Sequence, residues 1–76
     1  MNKSRRRELK KVIQSLLNVR DDLEIVRDEE DETRDNRPES LQVSIQYEES
    51  EACSESMNSA LDSIDEAIGY IEDAIS

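Results

Sequence analysis

Apolar residues recur along this 76-residue chain in two stripes, one in each half. Their spacing alternates between three and four residues, which is the pattern of helices that pack together through heptad positions a and d. The first stripe comprises Leu9, Val12, Leu16, Val19, Leu23 and Val26. The second comprises Met57, Leu61, Ile64, Ile68 and Ile71, preceded at the same spacing by the polar residue Ser54. Two such stripes predict two long amphipathic helices.

The stripes are mirror images of each other. Leu9 matches Ile71 and Val19 matches Leu61, and the two residue numbers add to 80 in all six pairs. A mirrored pattern is expected when a chain folds back on itself. The predicted fold class is therefore all-α, an antiparallel two-helix hairpin of the coiled-coil type.

The hairpin predicts a single domain spanning 1–76. Ser4 and Ser44 are candidate N-caps, and Pro38 disfavours helical backbone in the residue before it. The predicted boundaries are helix 4–34, bend 36–43 and helix 44–75. A brief extended stretch is the alternative near the bend, where four residues alternate with polar ones: Leu41, Val43, Ile45 and Tyr47.

Charge supports the folded-back arrangement. The chain has a net charge of −10, yet residues 1–20 hold seven Lys/Arg and one Glu. Folding back places this basic start beside the acidic end of the second helix, and pairs Arg6 with Glu72 and Arg27 with Glu51. Such charge and a mean hydropathy of −0.87 are also typical of disordered chains. The sustained heptads argue against disorder except between the helices.

A lone hairpin of this size buries little apolar surface, since only 34% of its residues are hydrophobic and Phe and Trp are absent. We therefore expect a homodimeric four-helix bundle or completion by a partner protein. Ile13 and Leu17 lie off the first stripe, and small residues form a face on the second helix. The residues expected at the oligomer or partner contact are Ile13, Leu17, Ala60, Ala67 and Tyr70.

Carboxylates concentrate around the predicted bend, which is the second candidate for partner binding. They could imitate nucleic acid in a basic groove of a partner, or they could simply keep a small helical protein soluble. The residues of this acidic tip are Asp28, Glu29, Glu30, Asp31, Glu32, Asp35, Glu48, Glu49 and Glu51.

The sequence offers no chemistry of an enzyme. It has no His, a single cysteine at Cys53 and no Gly-rich phosphate loop, so we expect no catalytic, cofactor or metal site. No apolar run resembles a signal peptide or a membrane span, and cytoplasmic location is the expectation. Direct nucleic-acid binding by the basic start is disfavoured by the net negative charge.

The segment Asn36-Arg37-Pro38-Glu39-Ser40-Leu41-Gln42 is followed by Ser44-Ile45-Gln46-Tyr47-Glu48 and by Ala-Ile/Leu-x-x-Ile repeats. Together with the basic start, this pattern resembles small acidic helical proteins of phages and prophages of Gram-positive bacteria. Relatives carry a longer run of Glu and Met where this chain has 51–56. The resemblance implies a phage accessory protein that binds a host protein or defence system. The alternative is a scaffold or assembly component of a phage particle.

Overall fold

The computed structural model of the chain describes residues 1–37 and 45–76. Helix α1 spans Lys3–Asp35 and helix α2 spans Ile45–Ile75, and the two pack side by side in antiparallel orientation. The described residues form no strand. The predicted fold class, an all-α antiparallel hairpin, is confirmed.

Helix α1 begins one residue before the predicted start, because its N-cap is Asn2 and not Ser4. The Asn2 side chain accepts a 2.8 Å hydrogen bond from the Arg5 backbone N–H, which satisfies one of the free donors of the first turn. At the other end, the Asn36 backbone N–H donates to the Glu32 carbonyl at 3.0 Å.

Most of the predicted bend and the candidate cap Ser44 lie outside the described residues. Leu41 and Val43, half of the extended alternative, lie there too. The other half, Ile45 and Tyr47, is helical.

The face of α2 that packs on α1 repeats every three or four residues. Leu61 and Ile68 are the buried apolar residues in the described part of the chain, and Ser50 and Ser54 are the buried polar ones. The half-buried residues between and around them are Tyr47, Met57, Ile64, Ala67, Ile71 and Ile75. With the exception of Ala67, these are the positions of the predicted second stripe and its continuation in both directions.

The face of α1 differs from the predicted stripe at every second position. Val12, Val19 and Val26 are 43%, 52% and 52% exposed, so they do not form the seam between the helices. The half-buried residues that do follow the seam spacing are Leu9, Ile13, Leu16, Arg20, Leu23, Arg27, Glu30 and Arg34. The hydrophobic pattern predicts the valines instead, because three of the observed seam positions are occupied by arginine, which is not hydrophobic. An arginine can pack its aliphatic stem against a neighbouring helix while its guanidinium reaches polar groups.

The two helices are also offset from the predicted register. Contacts between them join Arg20 to Asp65, Arg27 to Asn58 and Asp31 to Ser54. The residue numbers add to 85 in each case, whereas the valine stripe required 80. The predicted pairing of Val19 with Leu61 is wrong, since Leu61 is 5% exposed and Val19 is largely exposed.

Candidate functional site

A polar cluster joins the two helices near the bend. Ser54 on α2 donates a 2.6 Å hydrogen bond to Oδ1 of Asp31, and Arg34 donates to the same oxygen at 2.9 Å. The other terminal nitrogen of Arg34 donates to the hydroxyls of Ser54 at 2.9 Å and Ser50 at 3.3 Å. The side chain of Arg34 is 13% exposed. This cluster replaces apolar packing where the seam lacks hydrophobic residues.

The cluster keeps both of its ionisable groups charged. The hydrogen bond from Ser54, followed by the bond from Arg34, lowers the pKa of Asp31, against an opposing effect of partial burial. For Arg34, burial alone would lower the pKa, but the hydrogen bond and charge of Asp31, together with smaller contributions from Tyr47 and Asp35, outweigh burial and raise the pKa. Asp31 therefore acts as a structural carboxylate.

Arg34 is the last of three seam arginines that lie seven residues apart on α1. Arg20 places Nε 2.7 Å from Oδ1 of Asp65, in an ion pair whose angle is poor for a hydrogen bond. Arg27 donates to Oδ1 of Asn58 at 3.0 Å and pairs with neighbouring Asp28. Glu51, which the sequence predicts as the partner of Arg27, is not among these contacts. The three arginines thus tie α1 to α2 along the half of the seam nearer the bend.

The acidic tip predicted from the sequence divides into two kinds of carboxylate. Asp31 belongs to the polar cluster, and Glu30 is half-buried beside α2. The remaining seven are exposed, and we call them the acidic surface: Asp28, Glu29, Glu32, Asp35, Glu48, Glu49 and Glu51. These seven are the ones accessible to a partner.

The residues predicted for the oligomer contact do not share one kind of environment. Ile13 follows the seam spacing of α1, and both Ile13 and Leu17 are half-buried in the hairpin. On α2, Ala60 is exposed, Ala67 is half-buried and Tyr70 is 72% exposed. The exposed apolar residues of α1 are Ile25 and the three valines that the sequence pattern assigns to the seam, Val12, Val19 and Val26.

An open groove of about 520 Å³ shows how the exposed surfaces of the two helices meet. Val26 and Glu30 line it from α1, and the residues lining it from α2 are Ala52, Cys53, Ser56 and Met57. Val26 and Cys53 therefore lie on the same side of the hairpin. Residues seven apart share a helix face, so this side continues along both helices. We call it the valine face: Val12, Val19, Val26, Cys53, Ala60, Ala67 and Ala74.

The basic start of α1 forms a separate feature at the open end of the hairpin. Lys3, Arg6, Arg7 and Lys10 line a shallow depression there. Within residues 1–37 and 45–76, no ion pair joins Arg6 to Glu72, and the ion pair at this end is the exposed Lys11–Glu8 contact at 3.8 Å. The expected Arg6–Glu72 bridge is absent from the described part of the chain.

The described residues contain no group of three or more Cys, Asp or Glu side chains arranged to hold a metal ion. Neither described helix is apolar enough over a sufficient length to cross a membrane. No family model, curated protein or solved structure matches the chain.

Proposed function

We propose that this protein is a non-enzymatic protein–protein interaction module whose acidic surface docks on a basic groove of a partner protein. The observation that carries the proposal is the separation of its carboxylates. Asp31 is tied to the other helix by Ser54 and to its own helix by Arg34, while seven neighbouring carboxylates are exposed on a helical frame. A fixed array of exposed negative charge attracts Lys/Arg-lined surfaces and speeds association with them.

The basic groove of such a partner is one that ordinarily holds nucleic acid. On this proposal the hairpin acts as a nucleic-acid mimic in the host cytoplasm, and it serves a phage or prophage by modulating a host protein or defence system. The resemblance of residues 36–48 to phage proteins supports that setting. The exposed valines support self-association, which we propose yields a homodimer.

Competition with duplex DNA tests the proposal. The immobilised chain is incubated with lysate of a Gram-positive host, and bound proteins are eluted with duplex DNA and then with salt. We expect a nucleic-acid-binding protein in the DNA eluate, because DNA and the acidic surface compete for one groove. Recovery of bound proteins only in the salt eluate, with none displaced by DNA, would contradict mimicry.

A pair of charge-matched variants assigns the site. One carries E29Q, E32Q, E48Q and E49Q on the acidic surface, and the other neutralises four exposed carboxylates farther along α2, from its middle to the open end: D62N, E66Q, E72Q and D73N. Both change the net charge equally. We expect only the first to lose the DNA-displaceable partner. Equal loss in both would indicate nonspecific attraction.

A structural or assembly role in a phage particle is the second candidate function. The observation that favours it is the valine face, because exposed apolar surface on a small helical protein is suited to packing against other subunits. Under this alternative, the captured partners are phage structural proteins, recovered from lysate of infected cells, and they resist elution with DNA.

A further inference from the structure

The valine face is the side of the hairpin on which apolar and small residues continue without a partner. Val12, Val19 and Val26 are largely exposed along α1, and the open groove joins Val26 to Cys53 on α2. Beyond Cys53, the same face of α2 carries alanine at each heptad: Ala60, Ala67 and Ala74. A helix in a four-helix bundle needs such a second apolar flank beside its seam.

The two halves of this face are symmetric about one level of the hairpin. The valines are centred on Val19, and the α2 positions are centred between Ala60 and Ala67. The Arg20–Asp65 ion pair shows that Val19 lies beside α2 close to residue 65, within about one helical turn of the second centre. A two-fold axis at this level would place each stripe of one copy against the same stripe of a second copy, running in the opposite direction.

Charge selects the orientation of a second copy. The half of the hairpin nearer the open end, residues 1–19 and 66–76, holds six Lys/Arg and four Asp/Glu, for a net charge of +2. The other described half, residues 20–37 and 45–65, holds four Arg and fifteen Asp/Glu, for a net charge of −11. Two copies with bends at the same end would place both −11 halves together. Opposite ends place each −11 half beside a +2 half.

We propose that two copies of this chain pack antiparallel through the valine face, with their bends at opposite ends of a four-helix bundle. The inference rests on the self-association in the proposed function, and it specifies the face and the orientation. Val19 then lies near Val19 of the second copy at the axis, and Val12 lies near Val26 of the second copy. Each α2 packs on the other α2 through Ala60 and Ala67, where small side chains permit close approach.

Cross-linking between single cysteines tests the orientation. In a C53A background, V19C, V12C and V26C are each treated with a short bifunctional maleimide. We expect V19C to form a covalent dimer. V12C alone and V26C alone are expected to form at least ~10-fold less dimer, because the two copies of each of these cysteines would lie about 21 Å apart along the bundle. A mixture of V12C and tagged V26C is expected to form the mixed dimer.

Ile25 supplies the matched control. It is 56% exposed, nearly the same as Val19, but it lies on a different side of α1, one residue before Val26. I25C is therefore expected to cross-link no more than V12C alone. If V12C or I25C cross-links to itself as well as V19C does, the antiparallel arrangement is wrong.

Sedimentation equilibrium of the unmodified chain tests the dimer itself. We expect twice the 8.8 kDa chain mass at tens of micromolar, reduced to the monomer mass in V19E and unchanged in I25E. Dimerisation of V19E is expected to weaken about 100-fold or more, since two carboxylates meet at the axis. Circular dichroism checks that V19E stays helical. The cross-linking result stands even if V19E unfolds.

The outcomes separate the two proposals. A monomer at these concentrations overturns the dimer while leaving the DNA-competition result for the acidic surface intact. A dimer in which neither V19C nor the V12C–V26C mixture cross-links overturns the valine face and its orientation. If no captured protein is displaced by DNA but the expected cross-links form, the proposed function is wrong and the four-helix bundle is still supported.

Discussion

Ser54 on α2 donates a 2.6 Å hydrogen bond to Asp31 on α1, and Ser54 is only 5% exposed. A serine thus occupies a seam position of α2 where a coiled coil ordinarily places an apolar residue. The bond is useful there because α1 presents Asp31 and Arg34 at the same level. Ser54 is therefore a residue on which hairpin stability should depend.

Replacing Ser54 with Ala should destabilise the hairpin by about 1–2 kcal/mol, because a buried hydroxyl that bonds two side chains is lost. The measurement is thermal or urea unfolding followed by circular dichroism at fixed chain concentration. Ser63→Ala on the exposed surface of α2 is the control, and should be neutral or slightly stabilising, since Ala is the better helix former. Equal effects of the two changes would mean that the Ser54 bond does not contribute.

Asp31→Asn should destabilise the protein at pH 7, and its effect should disappear in acid. The pKa of Asp31 is lowered in the folded state, first by Ser54 and then by Arg34. Its stabilising contribution is therefore present above the unfolded pKa, about 3.9, and is lost as the pH falls through the folded pKa. The measurement is the difference in unfolding free energy between the wild type and Asp31→Asn from pH 7 to pH 2.

Glu32→Gln is the control for the Asp31 experiment, because Glu32 is an exposed neighbour of Asp31. It should be neutral or slightly stabilising at pH 7, opposite in sign to Asp31→Asn, because Glu32 lies near the negative end of the α1 dipole. A destabilisation by Asp31→Asn that persists at the lowest pH would show that the charge of Asp31 is not what stabilises the hairpin.

The fold and one of its two interacting faces follow from the sequence, because α2 carries its seam in apolar residues such as Leu61 and Ile68. The face of α1 does not follow from hydrophobicity. Its seam includes Arg20, Arg27 and Arg34 at every seventh residue. These arginines lie in the seam in place of the valines because each has a polar partner on α2. The seven-residue spacing of the arginines, matched by Asn58 and Asp65 on α2, is the signal that could have located the seam. The separation of Asp31 from the exposed carboxylates depends on this register, and so could not be predicted without it.

A double-mutant cycle should distinguish the observed register from the one that the valines predicted. Arg27→Ala and Asn58→Ala should be coupled by about 0.5–1 kcal/mol, because the two side chains share a 3.0 Å hydrogen bond. Arg27→Ala and Glu51→Ala should be additive within error. Unfolding free energies of the single and double variants measure both couplings. Stronger coupling of Arg27 to Glu51 than to Asn58 would restore the predicted register.

Leu61→Ala should be the most damaging of the conservative truncations. Leu61 is 5% exposed in the middle of the seam, and truncating a buried leucine costs about 2–5 kcal/mol. That is comparable to the whole stability of a small helical domain, so we expect loss of the cooperative unfolding transition in circular dichroism. Ile25→Ala, which truncates a residue 56% exposed, should leave the transition nearly unchanged. A similar loss in both variants would mean that the effect of Leu61→Ala does not come from the burial of Leu61.

The carboxylates of the acidic surface should have opposite effects on stability according to the helix end at which they lie. Glu29, Glu32 and Asp35 lie in the last turns of α1, where the helix dipole is negative, and Glu48 lies in the first turn of α2, where it is positive. The triple change E29Q, E32Q and D35N should therefore stabilise the hairpin at low ionic strength, by about 0.3–1 kcal/mol at each of the two sites in the last turn, Glu32 and Asp35, and by less at Glu29. Thermal unfolding at 10 mM and 1 M NaCl measures this, and high salt should remove most of the gain.

E48Q with E49Q is the matched comparison on α2, and should be neutral or destabilising because it removes charge from a favourable helix end. Opposite signs for the two sets would show that repulsion is local to the helix ends. Stabilisation by both sets would instead indicate that net charge alone governs stability. With opposite signs, a weaker partner interaction of the α1 triple variant cannot be attributed to unfolding, since that variant is the more stable protein. If the α1 triple variant also loses the DNA-displaceable partner, binding and stability respond to the same carboxylates in opposite directions, which is the result expected if this charge serves recognition at a cost in stability.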